Sequence, residues 1–116
     1  MSQLFVLVVQ DPDLESDILS AWLEVGIPGV TVMDSHGLSH GAIGSQFDQL
    51  PPMAGLSSIL RAQHVSSLTL WSILPDEFDV DGLIAVTESV VGDLNQPHVG
   101  VAFAMPIQRT WGLRKS

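Results

Sequence analysis

The sequence contains the same strand, turn and helix pattern twice. The apolar run Leu4 to Val9 ends at the turn Gln10-Asp11-Pro12-Asp13. The apolar run Leu68 to Leu74 ends at Pro75-Asp76. After each turn, apolar residues recur at helical spacing and a further apolar strand follows. Two such βαβ units with right-handed crossovers place both helices on one face of a four-stranded antiparallel sheet, so the repeat predicts a ferredoxin-like βαββαβ fold of the α+β class.

The element bounds follow from periodicity and from turn residues. The first helix is expected to begin at a cap on Asp11 or Asp13 and to stop at Gly26, and the second to run from Val80 to Leu94. The remaining strands are predicted at Val30–Ser35 and Val99–Met105. The segment from Gly37 to about Ser66 shows no period and is predicted to be a long loop.

Acidic residues cluster at both predicted helix starts, where paired carboxylates could be mistaken for catalytic groups. Because the clusters occupy equivalent positions in the two halves, helix capping and dipole matching explain them better than catalysis. The two clusters are Asp11, Asp13, Glu15 and Asp17, and Asp76, Glu77, Asp79 and Asp81.

The composition narrows the class of protein and its partners. Single-domain size is expected for 116 residues. The net charge of −9 comes from 13 acidic residues against four Lys and Arg, which disfavours a nucleic-acid partner. Without cysteine the chain cannot hold a disulfide or a thiolate metal site, and no stretch has the length of a signal or spanning segment. We therefore expect a cytoplasmic protein.

The chain is also poor in charge for the surface of a monomer. Charged residues are 15% of the sequence, against about 25% in typical domains. The second and third predicted strands carry apolar residues on both of their faces. In the second strand, for example, Val30 and Val32 lie on one face, and Thr31 and Met33 lie on the other. Since the helices cover only one face, the other is expected to be buried by further copies of the chain.

Several residues resemble the PII signal-transduction superfamily over nearly the whole chain. The most specific part is Gly26-Ile27-Pro28-Gly29-Val30-Thr31-Val32, followed by Gly37-Leu38, a long loop and the turn Pro75-Asp76. The resemblance implies a ferredoxin-like homotrimer that binds a nucleotide in the clefts between subunits and does not catalyse a reaction. A CutA-like trimer with a metal or another ligand and an ACT-type amino-acid sensor are the alternatives.

The resemblance assigns the long loop, Gly37 to Ser66, as the effector surface that contacts a target protein, either a membrane transporter or a metabolic enzyme. This loop is unusually apolar for a solvated segment. Its partner-binding candidates are Phe47, Leu50, Met53, Leu56 and Arg61. No feature of the sequence identifies the target.

The resemblance also supplies the ligand-site candidates. Gly29, Thr31 and Gly37 correspond to the side that receives adenine and ribose, and Leu38 is a further nucleotide-binding candidate. The candidates for the phosphate side are His40, His98, Gly100, Arg109 and Arg114. The chain departs from PII in having no tyrosine for uridylylation, in carrying Val101 where a lysine is expected, and in carrying His40 for an arginine. With so few cations, AMP, ADP or cyclic AMP is expected rather than a triphosphate.

Four residues could be combined into a metal site, since imidazole and carboxylate suit zinc, nickel or copper. They are Asp34, His36, His40 and His64. The spacing of His36 and His40 would bring two ligands together on a helix, but the intervening glycine and serine favour a loop. We therefore predict no metal site, and the loop histidines are the feature that would support the CutA-like alternative.

Overall fold

The computed structural model describes residues 1–37 and 65–113. Within these ranges the element order is βαββαβ, with a short 3-10 turn before the first helix. The elements are β1 (Gln3–Val9), the 3-10 turn (Pro12–Leu14), α1 (Glu15–Glu24), β2 (Thr31–Gly37), β3 (Val65–Leu74), α2 (Val80–Val91) and β4 (Gly100–Pro106). The predicted fold class is confirmed.

The strands form one antiparallel sheet in the order β2-β3-β1-β4, so β2 and β4 are its two edges. In the register, Thr31 of β2 lies opposite Trp71 of β3. Trp71 lies opposite Val6 of β1, and Val6 lies opposite Phe103 of β4. These four side chains form one row across one face, since residues directly opposite in neighbouring strands share a face.

The two helices cover the other face and enclose the core. Trp22 of α1 packs edge-on against Phe5, with ring centroids 5.6 Å apart, and donates a 2.9 Å hydrogen bond from its indole nitrogen to Thr87 Oγ1 of α2. The Thr87 hydroxyl in turn donates to the Leu83 carbonyl oxygen at 2.7 Å. The buried apolar core comprises Phe5, Leu7, Val9, Ile18, Trp22, Ile27, Leu68, Leu70, Leu74 and Leu83.

The face of the sheet turned away from the helices, called the open face below, is also apolar. On β4 the residues turned toward the helices are small, namely Ala102 and Ala104. The large side chains point the other way: Val101, Phe103 and Met105 are 53%, 47% and 49% exposed. A strand that turned only one face to a core would place its large apolar residues there, so the pattern of β4 indicates a second covering partner for the open face.

Aspartate caps the start of α2 and the 3-10 turn that precedes α1, whereas α1 itself begins after Leu14, which makes no side-chain cap hydrogen bond. The cap predicted on Asp11 therefore lies one short turn ahead of α1. Asp11 Oδ1 accepts the Asp13 N–H at 3.0 Å at the 3-10 turn, and Asp79 Oδ1 accepts the Gly82 N–H at 3.0 Å at α2. Gly26, with φ of 87°, follows the end of α1 where a stop is expected. In residues 1–37 and 65–113, no helix combines the length and the apolar character needed to cross a membrane.

Among the bounds that differ from the prediction, three have local reasons. Helix α2 ends at Val91 rather than Leu94, because Gly92 adopts a positive φ of 96°. The strands flanking the long loop are longer than predicted: Gly37 pairs with Val65, and the Ser35 and Ser67 hydroxyls are 2.7 Å apart across the ladder. The ends of the predicted loop are therefore strand, and its remainder, residues 38–64, lies outside the described residues.

Candidate functional site

A cavity of about 270 Å³ lies where the open face meets the chain that follows β4. Three segments line it: the turn before β2 with the first residue of that strand, the end of β3, and the C-terminal tail. The lining residues are Pro28, Gly29, Thr31, Trp71, Ser72, Ile73, Gly112 and Leu113. It is called the Trp71 cavity below. Two sequence-predicted ligand residues, Gly29 and Thr31, therefore lie together in one concave site.

The tail reaches this cavity by crossing the end of the sheet. The Ile107 N–H donates a 2.8 Å hydrogen bond to the Ser2 carbonyl oxygen, which holds the start of the tail beside β1. The tail then continues until Gly112 and Leu113 line the cavity beside β2, at the opposite edge of the sheet from β4. Arg109 lies exposed on this crossing segment and is not one of the lining residues.

A buried serine holds the turn that carries Gly29. Ser72 of β3 is 2% exposed and donates a hydrogen bond from its hydroxyl to the Gly29 carbonyl oxygen. A Cβ atom placed on Gly29 would meet no heavy atom within 4 Å. The chain thus holds the backbone of the turn in place while the space around Gly29 stays open.

A second cavity of about 760 Å³ adjoins the first and has a different electrostatic character. The two share lining residues, including Pro28 and Ile73, but the larger one also carries Asp76 and Glu77. The amino group of Met1 forms an ion pair with Asp76 at 3.3 Å. Among the described lining residues, one positive charge stands against two carboxylates, so a phosphate group placed beside Asp76 and Glu77 is repelled.

The other predicted part of the ligand site, the turn between α2 and β4, lies at the opposite edge of the sheet. His98 is exposed there with a positive φ of 66°, a conformation in which histidine is enriched among residues other than glycine. Gly100 begins β4, and a Cβ there would lie 2.3 Å from the Val8 carbonyl oxygen. Only glycine fits this close approach to β1.

The backbone amides of this turn are occupied by the chain's own acids. Leu94 N–H donates to Glu88 Oε2 at 2.9 Å, and Asn95 N–H donates to Asp93 Oδ1 at 2.9 Å. Gln96 N–H donates to the Asp93 carbonyl oxygen at 3.0 Å. Three donors that could have met a phosphate are thus already engaged, two of them by carboxylates. Together with Val101 in place of the expected lysine, this makes the turn a poor cradle for a phosphate chain.

One chain does not bring the predicted site residues together. Thr31 lies on edge strand β2 and Gly100 on edge strand β4, with β3 and β1 between them. Three strand spacings separate the edges by about 14 Å. The Gly37 backbone lies at the far end of β2 from Gly29. Leu38, His40 and Arg114 lie outside the described residues.

The effector-loop candidates Phe47, Leu50, Met53, Leu56 and Arg61 also lie outside the described residues. So do His40 and His64 of the considered metal set, while Asp34 and His36 are on β2. Among residues 1–37 and 65–113, no three His, Cys, Asp or Glu side chains are close enough to one another to hold a metal ion.

Sequence reasoning missed most of the wall of the Trp71 cavity. Trp71, Gly112 and Leu113 are not among the ligand residues that the sequence predicts. Finding them requires two facts beyond local pattern: the register that places Trp71 opposite Thr31, and the path of the tail across the sheet.

Comparisons with known proteins identify the fold. No protein-family model and no curated protein matches the sequence. The structure resembles PII from Arabidopsis thaliana bound to citrate, with a TM-score of 0.61, 18% identity, and coverage of 91% of this chain and 74% of that one. It also resembles GlnK from B. subtilis, with a TM-score of 0.61, 14% identity, and coverage of 92% and 85%. The chain therefore has a PII-like ferredoxin fold.

Proposed function

We propose that the protein is a non-catalytic, PII-like regulator of the cytoplasm. It assembles as a homotrimer and binds a small effector, an adenine nucleotide, in the clefts between copies. It then acts on a target protein, a membrane transporter or a metabolic enzyme, through the long segment between β2 and β3.

The observation that carries this proposal is the division of the predicted site between two edges. Gly29 and Thr31 lie in the Trp71 cavity at the β2 edge, whereas His98 and Gly100 lie at the β4 edge. A ligand that contacts both sets must sit between two chains. The division fits a site that is completed by assembly.

The open face supports self-association independently of the ligand. Its exposed large apolar side chains are Phe103 and Met105 on β4 and Met33 on β2. Apolar patches of this kind on soluble proteins mark interaction sites. Covering it with further copies also accounts for the low charge content of the sequence.

The electrostatics favour a short phosphate chain. The amides of the turn before β4 are engaged by Glu88 and Asp93, and the cavity beside the Trp71 cavity carries Asp76 and Glu77. Each added phosphate would bring more negative charge to a chain of net charge −9. We therefore expect AMP, ADP or cyclic AMP to bind more tightly than ATP. That one structural neighbour is a PII bound to citrate supports a small anionic effector in general.

Titration calorimetry with AMP, ADP, cyclic AMP and ATP tests the proposal. We expect saturable binding of one nucleotide per chain, weakest for ATP. Arg109→Ala should weaken binding about ten- to a hundredfold, the cost of losing a charge-assisted contact of about 1.5–3 kcal/mol. Thr31→Val should weaken it about two- to tenfold, because a neutral hydrogen bond contributes about 0.5–1.5 kcal/mol net.

The matched control is Ser20→Ala, which removes an exposed hydroxyl on α1, the helix layer on the other side of the sheet from the open face, and should leave the affinity unchanged. Heat from none of the four nucleotides would contradict the proposal. Binding that is unchanged in Arg109→Ala would remove only that residue from the site.

A further inference from the structure

Trp71 lines the Trp71 cavity, whereas Trp22 and Trp111 line neither this cavity nor the adjoining one. Its side chain is half-buried on the open face, opposite Thr31 in the β2–β3 ladder. Opposite residues in an antiparallel pair have Cβ atoms about 4.5–5.5 Å apart, so the side chains of Thr31 and Trp71 are neighbours in the cavity wall. An aromatic surface and a hydroxyl thus stand side by side in the cavity wall.

Trp71 differs from Trp22 in its ring packing and in the hydrogen bonding of its indole N–H. Trp22 is fully buried, packs against Phe5 and donates its indole N–H to Thr87. Within residues 1–37 and 65–113, Trp71 has neither an aromatic ring partner nor a hydrogen bond from its indole N–H. Tryptophan near a surface normally finds a hydrogen-bond acceptor for that donor. The cavity therefore offers a ring surface and a donor to a ligand.

The remaining walls suit a flat, largely apolar group. Pro28, Ile73 and Leu113 complete an apolar lining, with the Thr31 hydroxyl as a polar group among them. Small-molecule sites commonly combine such a lining with a few oriented polar groups. The volume of about 270 Å³ lies just below the usual range for ligand pockets, about 300–1,000 Å³, which favours one ring system over a whole nucleotide.

Charge determines which part of a nucleotide enters. Asp76 and Glu77 stand in the adjoining cavity, so an anionic group that lies beside them is repelled. A neutral heteroaromatic base is not repelled and has ring nitrogens that can accept from the Thr31 hydroxyl. We infer that Trp71 is the residue on which the purine ring of the effector stacks, an inference that rests on the nucleotide binding proposed above.

Calorimetry with AMP and adenosine tests this role in Trp71→Leu and Trp71→Phe. Stacking of a base on an aromatic side chain corresponds to a loss of about five- to a hundredfold on its removal. We expect Trp71→Leu to weaken AMP and adenosine by the same factor in that range, because both carry the ring. Trp71→Phe should retain most of the affinity. Arg109→Ala should weaken AMP but not adenosine.

Tryptophan emission gives a second measurement that does not require Trp71 to be replaced. The variant Trp111→Phe retains two tryptophans, Trp22, which is fully buried, and Trp71. In this variant AMP should quench and shift the emission of Trp71. The double variant Trp71→Phe, Trp111→Phe should show no change. Trp111 is 82% exposed and lines neither cavity, so Trp111→Leu serves as the control and should bind AMP normally.

The outcomes separate this inference from the proposed function. AMP binding that is equal in wild type and Trp71→Leu, or a loss with AMP but not with adenosine, overturns the role of Trp71 and leaves nucleotide binding intact. An unchanged emission in Trp111→Phe at saturating AMP also overturns it. If wild type binds none of the nucleotides, the proposed function fails and this inference fails with it.

Discussion

Both faces of the sheet carry apolar residues, but the helices cover only one of them. On β1, Leu7 faces the helices and is fully buried, whereas Leu4 faces away and is half-buried. On β4 the contrast is inverted, because small alanines face the helices and Phe103 and Met105 face away. The helices complete the covered face within one chain. The open face also carries large apolar side chains, but no helix of the same chain covers them.

This difference shows where stability and function separate. The covered face is closed by the chain itself, with Trp22 and Thr87 joining the two helices above it. The open face, by contrast, borders the Trp71 cavity and carries the exposed residues of β4. Changes to the first should therefore alter the folding of one chain, and changes to the second should alter assembly and ligand binding.

The largest effect is expected from a charge on the open face. Phe103→Glu places a carboxylate in the proposed interface, where burial without a partner costs several kcal/mol. We expect the assembly to dissociate to chains of 12.5 kDa, with its dissociation constant raised on the order of a hundredfold or more. Light scattering coupled to size-exclusion chromatography measures the mass.

Leu23→Glu is the control for this charge, since Leu23 is an exposed residue of α1 on the other side of the molecule. It should leave the mass unchanged. A wild-type protein that is already a stable monomer, or a Phe103→Glu variant with the wild-type mass, would show that the open face is not an interface.

A matched pair of leucines on β1 compares the faces directly. Leu7→Ala should lower the free energy of unfolding by about 2–5 kcal/mol, the usual cost of a cavity in a closed core, at every protein concentration. Leu4→Ala should cost less in dilute protein and more when the chains assemble, because burial of Leu4 then depends on a neighbour. Urea unfolding at two concentrations measures both. Equal, concentration-independent losses would mean that the faces are alike.

How far the sequence predicts this molecule depends on the range of the interaction involved. The repeat and the alternation along each strand are local, and they predict the element order, the fold and the two apolar faces correctly. The end of α2 and the start of β3 were misplaced, because Gly92 adopts a positive φ and because Ser67 is held by a hydroxyl across the ladder.

The candidate site was less predictable because its parts meet only through tertiary structure. The wall position of Trp71 follows from register, and that of Leu113 follows from the path of the tail. In the turn before β4, the Leu94 N–H is occupied because the Glu88 side chain reaches it from α2. No local pattern in the sequence encodes these three contacts.

A smaller effect is expected from the polar link above the covered face. Thr87→Val removes the acceptor of the Trp22 indole N–H while keeping the shape of the side chain. An unpaired buried donor costs about 1–3 kcal/mol, so unfolding should occur at lower urea with no change in assembly. Ser89→Ala, an exposed hydroxyl on the same helix, should change stability by less than about 0.5 kcal/mol. If Thr87→Val left the free energy of unfolding unchanged, the Trp22 indole N–H would have found another acceptor.

The smallest effect is expected from the N-cap of α2, which lies outside both faces of the sheet. Asp79 caps α2 by accepting the Gly82 N–H, and Asp79→Ala should cost about 1 kcal/mol. A Cβ on Gly82 would lie 2.5 Å from Asp79 Oδ2, so Gly82→Ala gains helix propensity, up to about 1 kcal/mol, but displaces the cap. The two effects oppose each other, and Gly82→Ala alone should be nearly neutral. In the Asp79→Ala background it should stabilise, because there is no cap to displace. A double-mutant cycle by urea unfolding measures this coupling, and purely additive effects would show that the cap does not depend on glycine at this position.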